Sequence, residues 1–222
     1  MNREKKVDKI LKLVQKSEII IFDFDGTLIN SEPCHLKAHN KVLKKLLGEN
    51  FELTREVFVS RYCGKTDNEI FGVCYKKDFG IEYNTEEQKS NKIKFSNEFL
   101  ADESVKIFDY FFELLKIKDN KKFYIVSNQD GDVLNFLLEK KHIKANFNKV
   151  FALPNIGVRK RDFLKNLDQY IPSKGKQVVL FEDNLEILEL AKELGFFVVG
   201  VETENNRGRL VGKFENVISY WK

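Results

Sequence analysis

The segment IIIFDFDGTL, residues 19–28, joins a short apolar run to a cluster of acidic and turn-forming residues. The run is rich in β-branched side chains and is too short for a helix, so it predicts a buried β-strand. Asp23 and Asp25 follow this strand, and because they lie two residues apart on an extended chain, their side chains point the same way. Gly26 then permits a tight turn.

The same pattern, an apolar run that ends in polar residues, recurs along the chain. Further strands are predicted at residues 122–126, 150–153, 177–181 and 196–201. Helical patterns alternate with them, at residues 132–141, 162–170 and 185–194. We expect Asp132 to cap the first of these helices and Gly195 to follow the last. This alternation predicts an α/β fold with a Rossmann-like, doubly wound parallel sheet covered on both faces.

One region interrupts the alternation of strands and helices. Residues 31–103 carry mainly helical patterns, with helices predicted at 35–47, 56–62, 67–77 and 85–100. Turn signals at Gly48, Gly64 and Gly80 separate them. We therefore expect a core domain formed by residues 1–30 and 104–222, and a helical domain inserted at 31–103. Within the core, residues 1–18 have apolar side chains at helical spacing and predict an amphipathic helix docked on the fold.

Polar side chains stand at the ends of three predicted strands. In an open parallel sheet the carboxyl ends of the strands lie at one edge, where ligands bind. Four carboxylates in one crevice repel each other unless a cation neutralises them. Oxygen ligands without a set of His or Cys residues favour Mg²⁺, a metal typical of phosphoryl transfer. The residues brought to this edge are Asp23, Asp25, Ser127, Asn128, Glu182 and Asp183.

These motifs resemble those of the haloacid dehalogenase-like superfamily. Residues 23–28, DFDGTL, resemble its DxDGT signature; Ser127-Asn128 is similar to its second motif and Glu182-Asp183 to its fourth, acidic motif. The third motif is a Lys near the start of a helix, commonly followed by Pro. In the segment VRKRDFL, residues 158–164, Lys160 is the best match, with Arg159 as the alternative, and the Pro is absent. The resemblance covers nearly the whole chain beyond the N-terminal helix.

The resemblance implies a role for each matching residue. Asp23 would be the nucleophile that attacks phosphorus, and Asp25 the general acid and base. Phosphoryl oxygens would be held by Ser127, Asn128 and Lys160. Thr27 could orient Asp25. The Mg²⁺ ligands would come from Asp23, Asp25 through its backbone carbonyl, Glu182 and Asp183.

The insertion resembles the C1 cap of this superfamily, which closes over the site and selects the substrate. Such a cap suits a small phosphorylated metabolite, with a sugar phosphate as the first expectation. His35 lies in the segment SEPCH that leads into the cap, and is a candidate hinge or substrate residue; Arg61 and Lys65 are further candidates for substrate contacts.

Three functions are compatible with this pattern. A phosphatase is the first. A β-phosphoglucomutase-like mutase is the second, but mutases tend to carry Gly-x-Ser-Arg in the cap, where this chain has Gly64-Lys65-Thr66-Asp67, and a Lys after the second motif, where it has Gln129-Asp130. A module that binds a phosphorylated ligand without catalysis is the third. Dehalogenases lack an acid at the position of Asp25, so dehalogenation is disfavoured.

Composition limits the partners and the compartment. The chain has 222 residues, with 38 basic and 34 acidic side chains and a net charge of +4 that is not clustered, which argues against dedicated nucleic-acid binding. Its 3 Cys residues form no CxxC pair, which fits a reducing compartment. No segment approaches the roughly 20 apolar residues that span a bilayer. We expect a cytoplasmic protein that is independent of membranes and monomeric.

Overall fold

The structure, a computed structural model, describes residues 3–63, 65–80, 84–100, 105–203 and 206–220. Its centre is a sheet whose strands all pair in parallel, in the order β3-β2-β1-β4-β5-β6. The strands are β1 (Ile19–Phe22), β2 (Lys122–Ser127), β3 (Lys149–Ala152), β4 (Val178–Glu182), β5 (Phe197–Glu202) and β6 (Val217–Ser219). The predicted doubly wound α/β fold is confirmed, with β1 at the centre, where the strand order reverses.

Helices cover both faces of the sheet and form the insertion between β1 and β2. The N-terminal helix and the insertion contain α1 (Arg3–Gln15), α2 (Glu32–Leu47), α3 (Arg55–Arg61), α4 (Asp67–Glu69), α5 (Tyr75–Phe79) and α6 (Thr85–Leu100). The rest of the core contains α7 (Asp109–Leu115), α8 (Gly131–Lys140), α9 (Leu153–Ile156), α10 (Lys160–Lys165) and α11 (Leu185–Glu193). Short 3₁₀ turns occur at Lys144–Asn146 and Leu167–Gln169.

Strand β1 is buried on both sides, and its side chains alternate between two apolar layers. Ile20 and Phe22 pack in the layer that contains side chains of α1, α7 and α8. Ile19 and Ile21 pack in the opposite layer, with side chains of α10 and α11. Because β1 has no solvent-facing side, the chain leaving it is held rigidly, and this fixes the position of Asp23.

The inserted domain has an apolar core of its own. Helices α2 and α6 pack against each other. The cluster between the cap helices includes Phe58, Tyr62, Phe71, Tyr75 and Phe95, and none of these side chains is more than 5% exposed. The predicted helical insertion is therefore confirmed as a separate packing unit.

Three details differ from the sequence-based expectation. Helix α8 begins one residue early and is capped by Asp130, whose side chain accepts a hydrogen bond from the backbone N–H of Asp132 at 3.0 Å, so the prediction of Asp132 as the cap is wrong. The helix expected at 67–77 is interrupted by a π-helical turn, Ile70–Cys74. The helix expected at 162–170 begins at Lys160 and ends at Lys165.

The helices α7 and α9 and the strand β6 are not predicted from the sequence. Gly195 does follow α11 with a positive φ of 83°, as expected for a helix end. The predicted domain boundary at residues 103–104 and the turn at Gly64 lie outside the described residues. Among the residues described, no helix combines the length and apolar character needed to cross a membrane.

Neighbouring Phe residues on α7 allow a matched test of the core. Phe111 is fully buried against the rings of Phe22 and Phe147, whereas Phe112 is 45% exposed. We predict that Phe111→Ala lowers the free energy of unfolding by about 3–5 kcal/mol, and that Phe112→Ala changes it by less than about 1 kcal/mol. Urea denaturation of both variants measures the difference, and equal losses would contradict the packing described here.

Candidate active site

The carboxyl ends of β1, β2 and β4 meet below the cap and enclose a cavity of about 370 Å³. That volume is in the range of small-molecule binding sites. Since β1 lies between β2 and β4, the residues after these strands are neighbours. The core residues predicted for the site all line this cavity: Asp23, Asp25, Ser127, Asn128, Lys160, Glu182 and Asp183.

Lys160 is the electrostatic link between two of these strand ends. Its Nζ donates to Asp23 Oδ1 at 2.6 Å and to Glu182 Oε2 at 3.0 Å. All three residues are at most 7% exposed, so little water screens the interaction. Burial opposes the charge of Lys160, but the carboxylates of Asp23 and Glu182 outweigh it and raise the pKa of Lys160 above its ordinary value.

The start of α10 explains why Lys160, rather than Arg159, enters the site. Lys160 is the first helical residue, and its side chain points into the cavity. The side chain of Arg159 is 84% exposed and its Nε donates to Asp162 Oδ2 at 2.7 Å. The cation beside Asp23 is therefore Lys160.

Asp23, Glu182 and Asp183 have carboxylate oxygens that all lie within 4.8 Å of one another. Burial and the negative charge of Glu182 raise the pKa of Asp23 to about 8, although Lys160 opposes this rise. One ammonium group does not balance this concentration of negative charge, whereas a divalent cation would. An all-oxygen donor set of this kind fits Mg²⁺.

Glu182 is held by its own backbone surroundings as well as by Lys160. Its Oε1 accepts hydrogen bonds from the backbone N–H groups of Asp183 and Asn184, each at 3.1 Å. These contacts fix the position of Glu182 beside Lys160 and Asp183. Asp183 is less buried and lies at the cavity wall.

Asp25 is bound by three side chains, only one of which is a predicted site residue. Its Oδ1 accepts a hydrogen bond from Ser31 and lies 3.0 Å from His35 Nε2, and its Oδ2 accepts one from Gln129 Nε2 at 3.0 Å. Burial alone would raise the pKa of Asp25, but His35 and Ser31 outweigh burial and hold that pKa below its ordinary value. In this arrangement Asp25 is ionised.

The contacts of His35 with Asp25 and Gln129 show which of its ring nitrogens carries a hydrogen. Gln129 Oε1 accepts from the backbone N–H of Asp130 at 3.0 Å, so its amide nitrogen faces Asp25 and His35. The ionised carboxylate of Asp25 can only accept hydrogen bonds, so His35 Nε2, 3.0 Å away, is the donor and carries a hydrogen. Its 3.2 Å contact with the Gln129 amide nitrogen is then a contact between two donors, not a hydrogen bond.

The turn after Asp25 depends on Gly26 and Tyr110. Gly26 has a φ of 72°, and its N–H donates to the carbonyl of Ile29 at 2.8 Å. The hydroxyl of Tyr110 donates to the carbonyl of Thr27 at 2.7 Å. The side-chain oxygen of Thr27 has no hydrogen-bond partner among the described residues. The groups that orient Asp25 are therefore Ser31, His35 and Gln129 rather than Thr27.

The remaining predicted site residues differ in how they are placed. Ser127 is 1% exposed and its Oγ accepts from the backbone N–H of Gln129 at 3.0 Å, so its own hydrogen can still be donated into the cavity. Asn128 and Lys65 line the cavity, although Lys65 Nζ donates to the carbonyl of Arg61. Arg61 is not among the lining residues; its side chain is 59% exposed and lies 3.6 Å from Asp78.

The cap side chains that line the cavity but are missing from the sequence-based site include His39, Asp67 and Lys92. It is the structure, not the sequence, that shows why one of them, Lys92, faces inward. Gln88, Lys92 and Ser96 lie on one stripe of α6, at intervals of four residues, and all three are buried. A Lys on the buried stripe of an amphipathic helix is rare unless it is paired.

The sheet, the inserted helices and the acidic strand ends together define a capped α/β protein with a hydrolase-type site. The model of the family described as haloacid dehalogenase-like hydrolase matches residues 20–201, and the chain belongs to this family. The resemblance found in the sequence is thus confirmed, as is the position of the cap between β1 and β2 that defines the C1 type.

Solved structures share this fold. CbbY from Rhodobacter sphaeroides, determined in complex with phosphate, superposes with a TM-score of 0.74 at 16% identity, over 90% of this chain and 93% of CbbY. The haloacid dehalogenase-like family protein SP0104 from Streptococcus pneumoniae gives 0.68 at 16% identity, over 93% and 95%. YfnB from Bacillus subtilis, determined with magnesium bound, gives 0.62 at 15% identity, over 84% and 89%. At these identities the likeness establishes the fold.

The acidic cluster leads to a prediction about metal binding. We expect Mg²⁺ to raise the melting temperature of the wild-type protein, because a ligand that binds only the folded state stabilises it by about 2.7 kcal/mol at 100 times its Kd. Asp183→Asn should weaken Mg²⁺ binding at least about tenfold. Asp132→Asn, on the exposed first turn of α8, is the matched control and should keep the full shift. An unchanged shift in Asp183→Asn would contradict this metal site.

The raised pKa of Asp23 predicts that protons compete with the metal. Since the pKa of Asp23 is about 8 in the metal-free protein, this carboxyl group is mainly protonated at pH 6 and must lose its proton when Mg²⁺ binds. We expect Mg²⁺ affinity to fall by up to about tenfold per pH unit from pH 8 to pH 6. Calorimetric titrations in two buffers of different ionisation enthalpy should also detect proton release at pH 7. An affinity that does not vary between pH 6 and pH 8 would refute this charge assignment.

Proposed function

We propose that this protein is a Mg²⁺-dependent phosphatase that hydrolyses a small phosphorylated metabolite through an aspartyl-phosphate on Asp23. The observation that carries the proposal is the position of Asp23, buried at the end of β1 with Lys160 Nζ at 2.6 Å and Asp25 two residues further on. The magnesium in YfnB and the phosphate in CbbY, both members of the same fold, support the choice of metal and ligand.

In the first step a carboxylate oxygen of Asp23 attacks the phosphorus of the substrate. A bond forms between this oxygen and phosphorus, and the bond from phosphorus to the ester oxygen breaks. Asp25 transfers a proton to the departing oxygen, which leaves as an alcohol. Asp25 must therefore be protonated at this stage, and the negative charge of a bound phosphate favours this because it raises the pKa of a neighbouring carboxyl group.

In the second step a water molecule attacks the phosphorus of the aspartyl-phosphate. Asp25, ionised again, accepts a proton from this water, and the bond between Asp23 and phosphorus breaks. The products are inorganic phosphate and the free carboxylate of Asp23. The hydrogen bonds from Ser31, His35 and Gln129, which favour the ionised form of Asp25, suit this second step.

The other groups of the site bind and orient the phosphoryl group. Lys160 and the hydroxyl of Ser127 would donate to its oxygens, with Asn128 beside them at the cavity wall. Asp183 and Glu182, together with Asp23, would hold the Mg²⁺ ion, which when bound neutralises charge on the phosphoryl oxygens. The cap covers the cavity, which favours a small substrate over a folded protein.

Two features argue for hydrolysis over the mutase alternative. Asp67 occupies the cap position where the mutase pattern has Arg, and its carboxylate faces the cavity paired with Lys92. Gln129, near the position where mutases tend to have Lys, donates to Asp25 instead of offering a positive charge to a second phosphate.

Variants of the two Asp residues test this mechanism. With a generic aryl phosphate and Mg²⁺, we predict that Asp23→Asn abolishes phosphate release, because the nucleophile is lost while the shape of the side chain is kept. Asp25→Asn should slow release by about 10²–10⁴-fold, the usual effect of losing acid–base catalysis. Asp132→Asn, at an exposed residue that does not line the cavity, serves as the control with wild-type rates.

The outcomes that would reject the proposal are distinct. Full activity of Asp23→Asn would exclude this residue as the nucleophile, and full activity of Asp25→Asn would exclude its role in proton transfer. Conversion of β-glucose 1-phosphate into glucose 6-phosphate without release of phosphate would identify a mutase. A wild-type protein that binds Mg²⁺ but does not hydrolyse any member of a panel of phosphorylated metabolites would support a binding module.

A further inference from the structure

The cap carries a buried ion pair on the wall of the catalytic cavity. Lys92, on α6, is 4% exposed, and its Nζ lies 3.0 Å from Asp67 Oδ2, at the start of α4. The side chain of Asp67 is 14% exposed. Packing of the apolar cap core does not require two buried charges at its edge. A buried ion pair also contributes little to the stability of the folded state. Because the pair lies on the cavity wall, it can contact a bound substrate.

His39 completes this cluster without adding charge to it. It is 1% exposed, its Nδ1 shares a hydrogen bond with the hydroxyl of Tyr75 at 3.0 Å, and its Nε2 lies 3.8 Å from Asp67 Oδ1. Burial and the positive charge of Lys92 lower the pKa of His39 to about 3, so it is neutral. The cluster therefore has one positive and one negative charge, which cancel.

The pair faces the part of the cavity where the leaving group would lie. Asp67 and Lys92 line the same cavity as Asp25, on its cap side. Asp25 is the residue that would protonate the leaving oxygen, so a group attached to this oxygen would extend from Asp25 towards Lys92 and Asp67. The other cationic side chains that line the cavity include Lys65 and Arg209, which are exposed and therefore screened by water and salt.

We propose that Asp67 and Lys92 form a specificity-determining pair that accepts an uncharged, hydroxyl-bearing leaving group and rejects one that carries a second phosphate. This inference rests on the proposed phosphatase function. Lys92 can donate hydrogen bonds and Asp67 can accept them. A hydroxyl group both donates and accepts, so it matches the pair. A second phosphate would lie close to the negative carboxylate of Asp67. Lys92 would not offset this repulsion, because its charge is already neutralised by Asp67. Like charges placed in this way discriminate against a bisphosphate.

Competition kinetics test the pair with two probes that differ by one phosphate. Glucose 6-phosphate and glucose 1,6-bisphosphate are measured as inhibitors of aryl phosphate hydrolysis in Mg²⁺. We expect the wild-type protein to bind the monophosphate at least about tenfold more tightly. Asp67→Asn should remove most of this preference, because Lys92 becomes free to bind the second phosphate. Lys92→Gln should increase the preference for the monophosphate, because the negative charge of Asp67 is no longer neutralised.

Control variants keep the result interpretable. Glu86→Gln, on the exposed first turn of α6, should retain the wild-type ratio of inhibition constants. If Asp67→Asn fails to fold, the double variant Asp67→Asn/Lys92→Gln removes both charges at once, and its ratio should approach one. A double variant that keeps the wild-type preference would overturn the proposal.

Other outcomes separate this inference from the proposed function. Tighter binding of the bisphosphate by the wild-type protein, or no binding of either sugar phosphate, would overturn the specificity assignment while aryl phosphate hydrolysis continued. If the aryl phosphate is not hydrolysed at all, the proposed function fails. In that case the dissociation constants of the same two sugar phosphates can be measured by calorimetric titration of the wild type and of Asp67→Asn. Their ratio decides whether the pair selects against the second phosphate.

Discussion

The ion pairs of Lys160 with Asp23 and Glu182 are the interaction on which the rest of the site depends. They join the ends of β1 and β4 inside a region from which water is largely excluded. Burial, together with the negative charge of Glu182, raises the pKa of Asp23. One ammonium group between two carboxylates leaves excess negative charge, which makes the site complementary to a divalent cation. The rigid, doubly buried strand β1 keeps this arrangement in place.

The two Asp residues of the DFDGTL segment occupy opposite electrostatic environments although only Phe24 separates them. Asp23 faces the acidic cluster and Lys160, whereas Asp25 is turned towards hydrogen-bond donors from the cap entry and from the loop after β2. When the surroundings of two carboxyl groups give them different pKa values, one commonly acts as the nucleophile and the other transfers protons. The cap places His35 beside Asp25 and the pair formed by Asp67 and Lys92 on the wall of the same cavity.

Strands β1 to β5 and the acidic strand ends could be predicted from the sequence because local patterns determine them. A β-branched apolar run followed by DFDGTL gives both the strand and the position of the two acids. The contacts of Gln129 and Lys92 could not be predicted in this way, since they depend on how α6 packs on α2 and how the loop after β2 meets the cap. Likewise, α7 was missed although it supplies Phe111 to the core, and the π-helical turn inside the 67–77 pattern leaves no signal in hydrophobic periodicity.

A covalent phosphoryl group on Asp23 is the most direct test of this account. The protein is mixed with Mg²⁺ and a substrate that it hydrolyses, quenched rapidly in acid, digested, and analysed by mass spectrometry. We predict that the peptide containing Asp23 gains the mass of one phosphoryl group during turnover and that no such gain occurs at this position in the Asp23→Asn variant. A phosphoryl group on any other residue, or rapid turnover with no phosphoryl group on Asp23, would contradict the account.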